Sequence, residues 1–183
     1  MYNQKETISI LCSLQHKSIM MKEEQFMTKT TNDGETYSIT KDSDLSDTTR
    51  SIHIVTTASL PWMTGTAVNP LLRALYFQKT RTANEAKVTL VIPWVEREEE
   101  RKLVYGSTQS FSNGKDGRKE QEEFVRDWAR KKAGMKNEAD MIRIQFYPAT
   151  YQKKLGSILT LVDICSLIPP HQADIAILEE PGE

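Results

Sequence analysis

The sequence predicts an α/β domain with a Rossmann-like parallel sheet flanked by helices. Three observations predict it. Short, continuously apolar runs rich in β-branched residues recur along the chain, the pattern of strands buried on both faces. Segments with apolar residues at helical spacing separate them, and that alternation builds parallel sheets through crossover connections. Each strand also runs directly into a proline: Leu60-Pro61, Ile92-Pro93, Tyr147-Pro148 and Glu180-Pro181. Proline cannot donate to a ladder, so each proline reads as a strand's carboxyl end.

The elements follow in order. Residues 1–50 read as a largely disordered polar leader with a short helix near residues 17–28. Rich in Thr, Ser, Asp and Lys, the leader offers too little apolar surface to offset the entropy of ordering. The domain proper is expected over 51–183. SIHIVTTA (51–58) is the first strand, and Leu71, Leu72, Leu75 and Tyr76 mark a helix over 69–79. AKVTLVIPW (86–94) is the second strand. The charge run EREEERK (96–102) reads as a solvated loop or exposed helical turn. SFSNGKDG (110–117) is a loop by its Gly, Asn and Asp. Residues 117–134 read as a helix with Phe124 and Trp128 on one face, acids toward its start, Lys131 and Lys132 near its end, and Gly134 as a left-handed stop. MIRIQFYP (141–148) is the third strand, SILTLVDICSLIPP a loop or short helix, and DIAILEE (174–180) the fourth strand.

Bulk properties exclude several classes. The 183 residues suffice for one domain. A net charge of −1 argues against a general nucleic-acid binder. Cys12 and Cys165 stand far apart, outside any metal-ligand spacing, and read as two reduced thiols. No apolar run approaches the roughly 18 residues that span a bilayer, and ISILCSL (8–14) makes a poor secretory signal. Asp42-Ser43-Asp44 is a D-x-D triplet in the leader, away from any strand end, and His16, His53 and His171 are scattered; none predicts a metal site or a catalytic base. Glu179-Glu180 end the last strand, where paired carboxylates either bind a ribose or simply terminate the strand.

The candidate site is the stretch SLPWMTGTAVNP (59–70). In open parallel sheets the ligand crevice lies beyond the carboxyl ends of the strands. Two prolines on that edge are followed by tryptophan, Trp62 and Trp94, which either rim the crevice or cap the core. Gly65 can take a positive φ and lets a ligand approach the backbone, and Thr64 and Thr66 add hydroxyls. Asn69-Pro70 suits a helix cap and first residue; alternatively the helix begins near Thr66. Either start leaves unpaired N–H groups facing the crevice, as a phosphate requires. Neither G-x-G-x-x-G nor G-x-x-x-x-G-K-[ST] is present, so a structural turn and a phosphate or sugar contact both remain open.

A more specific match comes from the runs IHIVTTASLPWMTGTAVNPLLRALYF, KVTLVIPW, KLVYG, EQEEFVRDW, IRIQFYPATY and ADIAILEEP. Over residues 51–181 they resemble the start of plant digalactosyldiacylglycerol synthases, retaining glycosyltransferases of the GT-B fold. The resemblance implies transfer of galactose from UDP-galactose to monogalactosyldiacylglycerol, with no bound metal or other cofactor. It implies a peripheral protein of the chloroplast outer envelope membrane. It makes 51–183 part of the N-terminal, acceptor-side domain, with Thr64-Gly65-Thr66 closing on the donor diphosphate and Asn69, Trp62 and Trp94 around the substrate. The family continues after LEEP with a Glu-His pair, whereas this sequence continues Gly182-Glu183, and VDIC (162–165) replaces an expected Gly-Asp-Ile-Ser. The expectation is therefore a truncated chain without the donor-binding domain, holding no catalytic residue and inactive alone. The alternative is a non-catalytic product that associates with envelope lipid or with full-length enzyme.

Overall fold

The computed structural model describes residues 26–30, 36–40, 44–81, 85–107, 111–169, 172 and 174–179. The chain divides into two compact units, residues 1–46 and 47–183. In the first, β1 (Phe26–Thr30) pairs antiparallel with β2 (Thr36–Thr40), from Phe26↔Thr40 to Thr30↔Thr36. The helix expected near 17–28 therefore meets a strand at 26–28, and the remainder of that expectation lies outside the described residues. So do Cys12, His16, Asp42, Ser43, His171, Glu180 and Pro181.

The second unit runs β3 (Ile52–Thr56), α1 (Gly65–Lys79), β4 (Val88–Val95), α2 (Glu98–Tyr105), α3 (Gly114–Lys131), α4 (Lys136–Met141), β5 (Arg143–Gln152), β6 (Ser157–Thr160), a 3-10 turn (Ile164–Leu167) and β7 (Ile175–Glu179). The five strands lie in the order β6-β5-β4-β3-β7. β7, β3, β4 and β5 are mutually parallel, with Ile54 between Ile177 and Leu90. β6 is an antiparallel edge strand paired to β5 from Ala149↔Thr160 to Gln152↔Ser157. The parallel α/β sheet flanked by helices is thus as the sequence predicts. The sixth strand of the chain was missed because SILT is short and half-exposed and carries little periodicity. Nor are all strands buried on both faces: β3 and β4 are, while β5 and β7 alternate.

One sheet face carries Ile52, Ile54, Leu90 and Ile92 against Leu71, Ala74 and Leu75 of α1, Val125 and Ala129 of α3, and Ala139 of α4. The other carries Val55, Val91, Val95, Tyr147, Ala149 and Ile158, covered more thinly by Val104 of α2 and by Val162, Ile164, Leu167 and Ile168. The turn VDIC that departs from the family pattern is capped by its own aspartate, whose carboxylate accepts from the Cys165 N–H at 3.0 Å.

The prolines do not all end strands. Pro93 lies inside β4 and Pro148 inside β5. The β3–β4 ladder has already ended at Val55↔Val91, so Pro93 sits where one flank of its strand is unpaired; Pro148 lies one residue before the β5–β6 ladder, where its carbonyl still accepts from the Leu161 N–H at 2.9 Å. Pro61 does lie beyond its strand, in the loop after β3, behind a cis Leu60-Pro61 peptide.

The charge run takes the helical one of its two expected forms, and the correction concerns burial alone. It forms α2, and Arg101 within it is fully buried. Its guanidinium lies 4.6 Å over the Trp94 ring and donates to Val95 O and Glu96 O, both at 2.8 Å, and to the Asn113 side chain. Glu100 turns inward to accept from the Tyr151 N–H at 2.8 Å and the Thr150 hydroxyl at 3.0 Å. Alternation of charge hid both, because one buried and one half-buried charge in a helix of eight residues leave no apolar stripe. α3 begins three residues earlier than predicted. Gly134, with φ 68°, ends its turn as expected.

Candidate functional site at the carboxyl edge of the sheet

The loop after β3 is built from strand-end polar groups. β3 stops at Thr56, whose buried hydroxyl donates to Thr66 O at 2.8 Å and accepts from the Ala58 N–H at 3.2 Å. The bond to Thr66 O has a specific cause. α1 starts at Gly65, so Pro70 falls in its second turn, not at its start as Asn69-Pro70 suggested. Residue 70 would have donated to Thr66 O across the helix, and proline carries no N–H. Thr56 fills the vacancy from the neighbouring strand. From the other side, the fully buried Gln121 of α3 donates to Leu60 O at 2.9 Å and to the Ser59 hydroxyl at 3.3 Å. The Tyr147 hydroxyl donates to Thr56 O at 2.9 Å.

These anchors present residues 62–69 beyond the sheet. The Thr64 and Thr66 hydroxyls lie 2.8 Å apart, and the Asn69 amide stands one turn along α1, beside Gly65. Trp62 packs edge-to-face on Tyr151 of β5, centroids 6.4 Å apart. Gly65 does not take the positive φ anticipated for it; it is the first residue of an ordinary helix. A Cβ placed on it would meet only Asn69 Nδ2 at 3.6 Å, normal contact. Neither backbone conformation nor space demands glycine here. What its missing side chain leaves is open access to the Gly65 and Thr66 N–H groups, which precede the first possible intrahelical bond. The Ala67 and Val68 N–H groups are already taken by Thr64 O, at 3.1 and 3.0 Å.

Trp94 does not join this group. Because β4 continues to Val95, residue 94 lies within the sheet under Arg101, fully buried, and meets Phe146 edge-to-face at 6.3 Å. It packs the core and lines no crevice. The structure thus brings together Trp62, Thr64, Gly65, Thr66 and Asn69, and separates Trp94 from them. Glu179 pairs with Arg73 of α1 and ties the edge strand to that helix. Asp44 accepts from the Ser46 N–H and hydroxyl at 2.9 and 2.6 Å.

Gln121, Glu100 and Tyr151 are the positioning residues that sequence reasoning missed. A signal existed for the first: Gly117, Gln121, Val125 and Ala129 recur every four residues and form the buried face of α3. Phe124 and Trp128, beside that face, are half-buried: they pack against the edge of the core and also line a surface cavity of about 520 Å³ with Phe111. A second cavity, of about 420 Å³, opens at the amino end of β4 and β5 between Arg126 and Gln145. Neither cavity touches the loop.

The loop carries no group that ionises near neutrality, so it can bind and orient but cannot transfer protons. Nearby tyrosines are held neutral by burial. The Tyr105 hydroxyl is pushed up to about 12, offset in part by its hydrogen bond with Gln121, and burial raises Tyr147 further. The His53 imidazole is driven below its ordinary value by burial first and by Arg143 second, with Asp174 opposing.

The chain is 46% identical over 138 residues to digalactosyldiacylglycerol synthase 1, chloroplastic, of Lotus japonicus, covering 75% of this chain and 16% of that protein. Against the Arabidopsis thaliana synthase 1 it is 48% identical over 132 residues, 72% of this chain and 15% of that one. Against the Lotus japonicus synthase 2 it is 44% identical over 130 residues, 71% and 26%. This chain is homologous to plant digalactosyldiacylglycerol synthases. Identity at that level over most of the chain gives the α/β unit the same fold as the matching part of these synthases. The chain spans between about a sixth and a quarter of the length of these relatives. No protein-family model matches it. The matched synthases carry the word chloroplastic in their names, and among the described residues no helix is long and apolar enough to cross a membrane.

Proposed function

We propose that residues 47–179 form the acceptor-side lobe of a galactosyltransferase. The reaction is transfer of galactose from UDP-galactose to monogalactosyldiacylglycerol, giving digalactosyldiacylglycerol, by a peripheral protein of the chloroplast outer envelope membrane. Homology to the synthases supports the chemistry. The observation that carries the site is Gly65: first residue of α1, required by neither conformation nor packing, with two open N–H groups at the positive end of the helix. In this reading those groups and the Thr64 and Thr66 hydroxyls meet the donor diphosphate, Asn69 lies alongside, and Trp62 faces the sugar. The loop has no group to move protons, so in this reading it binds the donor and leaves proton transfer to other residues.

A chimera tests this. Residues 47–179 replace the matching region of the Arabidopsis synthase 1, and transfer from radiolabelled UDP-galactose to monogalactosyldiacylglycerol is measured. The chimera should be active. Gly65→Val within it, which hides the two N–H groups, should lower kcat/KM for UDP-galactose by about ten- to a hundredfold, the value of a charge-assisted bond or two. An inactive but folded chimera, or a Gly65→Val form as active as its parent, would overturn the reading. Unchanged thermal unfolding of the Gly65→Val form would separate binding from folding.

A further inference from the structure

Among the described residues, the most exposed large apolar side chains are Leu155, 67% exposed, and Met63, 62% exposed. They are ninety-two positions apart in sequence, yet the fold sets them at one end of the sheet. β4 ends at Val95, opposite Ala149, whereas β5 runs on to Gln152, so the β5–β6 turn projects beyond the carboxyl edge. The loop bearing Met63 leaves that same edge, and the Trp62–Tyr151 contact joins its base to the base of the hairpin. The turn is well formed. Gln152↔Ser157 closes it, the Leu155 N–H bonds Gln152 O at 3.0 Å, and Gly156 supplies the left-handed residue with φ 61°. Leu155 is therefore held outward by its backbone.

Charge surrounds it asymmetrically. Lys153 and Lys154 are exposed, and among the described residues neither has an ion-pair partner. Glu100, the acid that reaches this hairpin, is turned inward onto Thr150 and Tyr151. The result is a projecting tip with two free cations, two apolar side chains in water, and a tryptophan–tyrosine pair behind them. Apolar tips enter the boundary between headgroups and acyl chains, lysines reach anionic headgroups, and Trp and Tyr prefer the interface.

We propose that the 152–156 turn and Met63 dock this protein on a bilayer surface carrying anionic headgroups, with Lys153 and Lys154 on the headgroups and Leu155 and Met63 in the acyl boundary. The inference deepens the reading above and rests on it for its purpose: docking there brings the Gly65 lip to a lipid acceptor.

Flotation of the 183-residue chain with phosphatidylcholine vesicles, with and without phosphatidylglycerol, tests it. The chain should float with the phosphatidylglycerol vesicles and be released by salt. Lys153→Glu with Lys154→Glu should weaken that binding by about thirtyfold or more, from two surface lysines. The milder Lys153→Gln with Lys154→Gln should fall between, and Leu155→Asp with Met63→Asp should reduce retention further. Leu178→Asp, at a half-exposed site on β7, should bind as the wild type does. No flotation of the wild type, retention unaltered by the lysine variants, or an equal loss from Leu178→Asp would overturn the docking surface. The chimera's transfer to detergent-dispersed acceptor needs no bilayer. Activity there with failed flotation sinks only the docking surface, and flotation as expected without transfer sinks only the proposed function.

Discussion

Arg101 shows how much one side chain holds. Fully buried, it takes the last carbonyl of β4 and the one after it, reaches the Asn113 side chain ahead of α3, and stacks on Trp94. It therefore joins a strand end, a helix and the following loop through one planar group. A lysine brings a single point of charge and cannot span those acceptors. Arg101→Met should lower stability by about 2–5 kcal/mol, the cost of stranding several buried acceptors, and Arg101→Lys should recover less than half of it. Urea unfolding of the two variants checks both statements. Sequence alone pointed to solvent for this residue, because pairing with a tryptophan at 94 and an asparagine at 113 is not written in its neighbours.

At the scale of elements, the link between β3 and α1 depends on an exchange of hydrogen bonds. Pro70 removes a donor from inside the helix, and the Thr56 hydroxyl replaces it on Thr66 O at 2.8 Å. The two residues should therefore be coupled. Thr56→Val should cost about 1–2 kcal/mol beside Pro70, where Thr66 O is left unpaired. In a Pro70→Ala background the restored N–H serves that carbonyl, and the cost of Thr56→Val should shrink by about half a kcal/mol or more. A double-mutant cycle in urea gives the coupling directly; additive costs would mean the proline and the threonine act independently. The register of β5 with β6 belongs to the same scale. It extends the hairpin past the sheet and delivers Tyr151 to Trp62.

At the scale of the whole molecule, the two sheet faces differ in cover, and His53 lies in the row β7-β3-β4-β5 defined by Ala176, His53, Thr89 and Arg143. Burial and Arg143 keep its imidazole neutral, while Asp174 opposes them. The unfolded chain takes a proton near 6.5 that the folded chain refuses. Stability from this group is complete above 6.5 and declines as pH falls from there toward the lowered folded value. The slope contributed is at most about 1.4 kcal/mol per pH unit. The urea midpoint of the wild type relative to His53→Leu should therefore be flat from about pH 8 to about pH 7 and should shift against the wild type as pH drops toward about 5. A difference constant across that range would remove His53 as a source of pH sensitivity.

The sequence by itself determined the fold class, because continuous β-branched runs have few stable arrangements other than a covered parallel sheet. It also determined the loop 59–70 as the candidate site, since a strand, a glycine-bearing turn and a helix in that order put free N–H groups at one edge. Only the tertiary structure decided which tryptophan belongs there. Trp62 and Trp94 both follow a proline, and local sequence treats them alike. One further residue of β4 beyond it, and an arginine seven positions on, place Trp94 in the core. Tertiary structure likewise decided why position 65 is glycine. Its φ and surroundings are ordinary, so the reason passes from the backbone's conformation to what the open N–H groups can meet.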